Sequence, residues 1–387
     1  MADETRLIRA GAIHKDLVKT VGPPIQKGST VLLPDAASLY DDDNYITYGR
    51  AGLSAHDALR DALAMLEGAV GVALYPSGLA AMTGALLAVL KAGDEILVTD
   101  TTYKPTRRFC DHVLKRFGVK TTYFDPLTPP ETLIGEASAA TRLILMESPG
   151  SLSFEMQDVA RVCELARPKN ILSAMDNTWG AGLIFKPLDH GVDLSIQALT
   201  KYVGGHSDVF MGSAAARDPK LVRALTDGVT HMGWSCAPED AYQMLRGLRT
   251  LPVRMARHGE SGLAIARWLA EQPQVARVIH PALPGDAGYE LWARDYTGAC
   301  GLFSFVLTRG PDAAVAALLD RLELFGLGFS WGGFESLAID CGPQLKVRKL
   351  NRDYGGPLIR LHVGLEDPQD LMTDLSQGLD AFANAAG

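Results

Sequence analysis

The stretch D-L-S-I-Q-A-L-T-K-Y-V-G-G-H-S-D, residues 193–208, governs how this chain reads. Residues 194–197 form a buried run of strand length, which leads directly into Thr200-Lys201, with Gly204 and Gly205 close behind. A lysine placed there leaves a hydrophobic environment at a sheet edge, where desolvation lowers its pKa and leaves the amine nucleophilic. Most lysines after strands are merely solvated, so the position gains meaning only from partners elsewhere in the chain.

Outward from this run, strand-like and helix-like patterns alternate from about residue 54, the order that builds a mainly parallel sheet covered by helices. Ser54 is expected to cap a helix with Leu59, Leu63 and Leu66 on one stripe, ending near Gly68. Residues 70–74, 96–99, 143–146 and 171–175 read as further buried strands. Each ends in polar residues, and open α/β sheets bind ligands at the carboxyl ends of their strands. The first 53 residues, rich in Gly and Pro early and acidic at Asp41, Asp42 and Asp43, show no sustained period and read as an N-terminal arm. Residues 54–247 read as a large domain. A long helical pattern, then strands at 301–307 and 359–363 around a helix, mark residues 248–387 as a smaller α+β domain.

Two further sites give Lys201 its partners. The strand ending at Met175 delivers Asp176-Asn177-Thr178-Trp179. A Schiff-base lysine and an aspartate that keeps the pyridine nitrogen protonated are the two protein groups that pyridoxal phosphate (PLP) demands. Ser77-Gly78-Leu79, between a strand and a small-residue helix, supplies the phosphate site: glycine permits close backbone approach, and free N–H groups and the helix dipole attract the anion. Arg360, in the apolar run L-I-R-L-H-V, needs a partner to justify burial.

Composition excludes other classes. The 387 residues carry 45 acidic and 37 basic side chains, a net charge of −8, with 47% hydrophobic residues. That composition excludes a disordered chain, and the acidic balance argues against sequence-independent nucleic-acid binding. No run approaches the roughly 18 apolar residues that cross a bilayer, and the start lacks an apolar signal core, so a cytoplasmic protein is expected. Five cysteines without C-x-x-C spacing and scattered histidines indicate neither a disulfide framework nor a metal. The G-x-G-x-x-G of a nicotinamide dehydrogenase is absent after the first strand.

With these residues in hand, the chain resembles the transsulfuration enzymes of the Cys/Met-metabolism PLP family, and within it the bacterial cystathionine β-lyases. The matching segments run nearly end to end: Y-G-R at 48–50, P-S-G-L-A-A, T-T-Y-K-P-T, E-S-P-G-S, D-N-T-W, Q-A-L-T-K-Y-V-G-G-H-S-D, G-L-R-T-L, S-W-G-G-F-E-S-L and I-R-L-H-V-G-L-E-D. The resemblance implies a fold-type I architecture and a homotetramer assembled as a dimer of dimers with shared active sites. It makes Lys201 the Schiff-base lysine and Asp176 the partner of the pyridine nitrogen. Gly78 and Leu79 would meet the phosphate through their N–H groups, and Thr200 through its hydroxyl. Tyr103 would stack on the cofactor ring, and Tyr48 and Arg50 would reach the neighbouring subunit's site. The same resemblance gives Arg360 the substrate α-carboxylate through a two-bonded guanidinium, beside Ser330, with Trp331 lining the pocket. Tyr48 or Tyr103 would help accept the proton of the substrate amine.

S-W-G-G favours the β-lyases, because the family's γ-acting members carry a different residue in that loop. The implied activity is β-elimination from L-cystathionine. Its rivals are a γ-lyase or γ-synthase and, from another class, a PLP-fold protein that binds without catalysis. Lys104, Phe329 and Ala198 depart from residues common in relatives, which bears on substrate range and cofactor affinity.

Overall fold

The computed structural model describes residues 2–10, 20–41, 44–350 and 352–386. Of the acidic run expected in the arm, Asp42 and Asp43 lie outside them. Seven strands build the larger sheet: β1 (Gly71–Tyr75), β2 (Glu95–Thr99), β3 (Lys120–Phe124), β4 (Thr141–Glu147), β5 (Leu172–Asp176), β6 (Leu194–Gln197) and β7 (Gly212–Ala216). They stand in the order β1-β7-β6-β5-β4-β2-β3. Only β7 runs against the rest, pairing antiparallel with β1 and β6.

A parallel sheet is covered on both faces, so its strands are near-continuous apolar or small-residue runs. β2, β6 and β7 are buried at every position. Successive side chains serve opposite faces: Leu97 packs into one core with Leu63, Met146 and Met175, whereas Ile96 and Val98 join Ala81, Leu145 and Ile196 in the other. The layers flanking the sheet include α1 (Asp3–Arg9), α2 (Ser54–Glu67), α3 (Gly78–Val89), α4 (Lys104–His112), α5 (Pro130–Gly135), α6 (Val159–Ala166) and α7 (Pro219–His231). Among its described residues the arm contains one α-helix, α1, whose Leu7 is fully buried.

Ser54 does not cap α2. It is the first helical residue, and its hydroxyl donates to Gln26 Oε1 at 2.9 Å. The capping position is Leu53, whose N–H donates to His56 Nδ1 at 3.1 Å, while His56 Nε2 meets the Cys236 carbonyl at 2.9 Å. One imidazole therefore closes the helix start and ties it to a distant loop. At the other end Gly68 stops α2 in the left-handed region, φ +66°.

The helix α8 (Pro238–Ala270) runs unbroken through residue 247, where the chain's division was expected. Its Leu245, Leu248 and Leu251 belong to the larger sheet's core, and its Ile265, Ala266 and Leu269 to the C-terminal core. Beyond it, β8 (Val275–Ile279), β9 (Leu302–Leu307), β10 (Gly326–Leu327), β11 (Leu337–Asp340) and β12 (Leu358–His362) form a second sheet, ordered β10-β11-β12-β9-β8 and mostly antiparallel. Helices α9 (Tyr289–Asp295), α10 (Asp312–Arg321), α11 (Gly342–Leu345) and α12 (Pro368–Ala386) accompany it. Among the described residues, no helix is long and apolar enough to cross a membrane.

Candidate active site

β5 ends at Asp176, β6 leads into Lys201, and β4 ends at Glu147, so the carboxyl edge of the sheet gathers the polar groups in one place. They line a cavity of about 370 Å³. Gly78, Leu79, Tyr103, Asp176, Thr200, Lys201, Ser330, Trp331 and Arg360 all lie on its wall. Nine of the eleven residues singled out from sequence thus converge, although they come from segments almost 300 positions apart.

Lys201 is held by a tight reversal of the chain after β6. Its N–H donates to the Ala198 carbonyl at 3.1 Å, and its own carbonyl accepts from Gly205 at 2.8 Å. Gly247 of α8 rests on this reversal: a Cβ there would lie 2.4 Å from the Val203 and Gly204 carbonyl oxygens. Buried Arg254 adds a bond of 2.6 Å to the Tyr202 carbonyl. With the backbone fixed, Lys201 Nζ donates to Ser330 Oγ at 2.7 Å and stands 5.3 Å from the centre of the Trp331 ring. Burial, helped by the Arg360 charge, brings the amine down to about 8, against the pull of Asp176.

Asp176 accepts two bonds at Oδ1, from Thr178 N–H at 3.0 Å and from Thr178 Oγ1 at 2.6 Å. Burial nevertheless raises its pKa. Such a carboxylate lacks a full counter-charge and favours a cationic N–H nearby. Tyr103 occupies the N-cap position of α4, with its N–H on Glu147 Oε2 at 2.7 Å and its ring half exposed to the cavity. Its phenol titrates above the ordinary value because of burial and the charges of Asp176 and Glu147.

The phosphate site is built by close packing. Ser77 caps α3, accepting from Ala80 N–H at 3.1 Å, and Gly78 begins the helix. A Cβ on Gly78 would lie 2.3 Å from Ala198 Cβ, so only glycine lets this helix start approach the segment after β6. Gly212 is equally constrained, because a Cβ there would lie 2.4 Å from the Ser77 carbonyl oxygen. Thr200 Oγ1 exchanges two bonds of 3.1 Å with the Met211 backbone, which fixes the hydroxyl at the cavity wall.

Arg360 is 6% exposed and makes no ion pair with any of the described residues. Its Nη2 reaches the carbonyls of Phe329 and Ser330, both at 3.1 Å, and its Nε has no partner. Burial lowers the guanidinium to about 10. A buried cation served only by carbonyls is a receptor for an anion. Tyr48 and Arg50, by contrast, stand outside the cavity wall. They are exposed, with the Arg50 guanidinium 5.3 Å from the centre of the Tyr48 ring.

Glu147 and Thr178 complete the site and were not singled out from sequence. Glu147 pairs in register with Asp176, lines the same cavity, and titrates well above the carboxylate range through burial and the Asp176 charge. Its signal was present, since it is the first polar residue after the run at 143–146, as Asp176 is after 171–175. Thr178 accepts from Ala198 N–H at 2.9 Å while donating to Asp176, a bridge that no sequence pattern encodes.

These residues fit PLP. A helix start that excludes any Cβ would take the phosphate, Asp176 the ring nitrogen, and the amine of Lys201 the aldehyde. Comparison with known proteins agrees. The Cys/Met metabolism PLP-dependent enzyme model matches residues 4–380. The chain is 46% identical to a protein named putative cystathionine beta-lyase from Rhizobium johnstonii, over 97% of this chain and 96% of that one. It is 41% identical to cystathionine beta-lyase MetC of Escherichia coli, over 98% and 99%. Among solved structures, cystathionine gamma synthase from Xanthomonas oryzae superposes with a TM-score of 0.91 at 32% identity, covering 100% of this chain and 99% of that one. The architecture is therefore fold-type I, and the chain belongs to the Cys/Met metabolism PLP-dependent enzyme family.

Proposed function

We infer that this protein is a carbon–sulfur β-lyase that cleaves L-cystathionine to homocysteine, pyruvate and ammonia. The observation that carries the reading is the pairing of a desolvated Lys201 amine with the anion-hungry Arg360 across one cavity, with Ser330 hydrogen-bonded to both segments. The relatives named as β-lyases, at 46% and 41% identity over nearly the whole chain, support β over γ chemistry against 37% over 86% of the chain for a cystathionine gamma-lyase of Bos taurus.

When bound, PLP supplies the carbonyl that captures the substrate amine and the ring that takes up carbanion charge. The chain's own groups do the rest. Arg360 binds the substrate α-carboxylate through its guanidinium fork, and Ser330 Oγ stands beside it. Asp176 would keep a proton on the pyridine nitrogen. Tyr103, on the cavity wall, would hold the ring, and it or Tyr48 would accept a proton from the incoming amine. Lys201 Nζ removes the proton from Cα and then delivers it to the departing sulfur. The Cβ–S bond breaks, homocysteine leaves as the thiol, and the three-carbon remainder takes up water to leave as pyruvate and ammonia.

The working form is a cytoplasmic homotetramer in which Tyr48 and Arg50 enter the neighbouring subunit's cavity. What supports this is their exposure together with that of other apolar residues of the arm, Leu32 at 91% and Tyr40 at 92%. The division of the chain into an arm (1–53), a cofactor domain (54–247) and a C-terminal domain (248–387) belongs to the same reading. The test is release of pyruvate from L-cystathionine by the PLP-loaded protein. Lys201→Ala is expected to reduce it by about a thousandfold; turnover at the unsubstituted rate would remove Lys201 from the mechanism.

A further inference from the structure

β12 carries Arg360 and His362 two residues apart, hence on one face of the strand. Both turn to one loop. Arg360 Nη2 holds the carbonyls of Phe329 and Ser330, while His362 Nε2 lies 3.0 Å from Gly332 N and 3.1 Å from the Gly333 carbonyl oxygen. Residues 328–333 are thereby gripped at both ends by a single strand, with Ser330 in the first grip and Trp331 between the two.

The loop's other side is equally fixed. Gly332 adopts φ +84°, and a Cβ there would lie 2.8 Å from Tyr202 N and 2.9 Å from the Lys201 carbonyl carbon. It rests on the backbone of the lysine itself. His362 is fully buried, beside the rings of Tyr202 at 5.9 Å and His258 at 5.2 Å, and it does not line the cavity. Burial and the neighbouring His258 hold its pKa well below the ordinary value, so the ring is neutral. Nδ1 has no partner, so the ring's hydrogen bond runs from Nε2 to the loop, accepting from Gly332 N–H or donating to the Gly333 carbonyl according to the tautomer.

We propose that His362 is a positioning residue that fixes loop 328–333, and through it sets Ser330 against Lys201 Nζ and the Arg360 guanidinium against the cavity. It touches neither substrate nor cofactor. The inference rests on reading Arg360 and Ser330 as the site of the substrate carboxylate.

The test compares PLP-loaded wild type, His362→Phe and His362→Gln. Phe keeps a ring and loses both nitrogens, whereas Gln returns a polar atom near the Nε2 position. Three quantities are read: KM for L-cystathionine, the Kd of propanoate by calorimetry, and PLP content. His362→Phe should raise KM and the propanoate Kd by about tenfold at unchanged PLP content, and His362→Gln should stay within about threefold of wild type. Unchanged KM and Kd in the Phe variant would overturn the proposal, as would equal losses in both variants. If the Phe variant fails to fold, Gly332→Ala displaces the loop from its other side. It should raise both constants to a similar extent, and unchanged constants would again count against the proposal. Arg360→Leu separates the two claims: an unaltered KM there defeats the carboxylate reading. A raised KM there, beside an unaltered His362→Phe, defeats only the positioning role.

Discussion

Burial outweighs charge pairing at Lys201, and its chemistry follows from that. The amine sits near Asp176, which favours the cation, yet desolvation and Arg360 win and bring it to about 8. A lysine with an ordinary pKa would be almost wholly protonated at neutral pH and poor as a nucleophile. The sign is clear: the neutral, reactive form gains as pH rises through about 8. Stopped-flow absorbance of PLP uptake by the PLP-free protein should therefore accelerate between pH 7 and 8.5 and then level off; a rate that keeps rising towards pH 10 would show an unperturbed amine. Lys201 and Asp176 were legible in sequence because each follows a short apolar run. His362 was not, since in L-I-R-L-H-V it reads as one more strand residue, and its contact with Gly332 spans 30 positions.

Elements matter here for what they bring close. The start of α3 and the segment after β6 meet at Gly78 and Ala198 with no room for one more carbon. Gly78→Ala must push the helix start away from the cavity, at a cost typical of overpacking, about 1–3 kcal/mol. Titration with PLP should show affinity lowered about tenfold or more, partly recovered in the double variant with Ala198→Gly, which removes the nearest atom. Full affinity in Gly78→Ala would mean that this helix start does not hold the phosphate. Five of the large sheet's seven strands were legible from their alternation, whereas β3 and β7 were not named and the start of α2 was misread. Ser54 has the side chain of a cap, but His56 reaches the Leu53 N–H and Ser54 is drawn to Gln26. Local preference lost to tertiary contacts.

For the whole molecule, the arm and the helix α8 set the terms. α8 lies in both cores, so the two sheets are joined by packing as well as by chain, and the expected division at 247 falls within one continuous helix. Sequence periodicity shows a helix there but not that two cores share it. The arm's Tyr48 and Arg50 lie outside their own chain's cavity, and the shared-site reading sends them to a neighbour. That makes a prediction about mixtures. Lys201→Ala and Arg50→Ala proteins, each nearly inactive, should regain about a quarter of wild-type activity when unfolded and refolded together, because half the dimers then carry one intact site of two. Activity no greater than the sum of the parents would mean that each chain builds its site alone.

The most direct test of the account is the identity of the products. Purified protein loaded with PLP and given L-cystathionine should release pyruvate and homocysteine in equal amounts, with ammonia. Release of 2-oxobutyrate and cysteine instead would contradict the β-lyase assignment, because those products require cleavage on the other side of the sulfur.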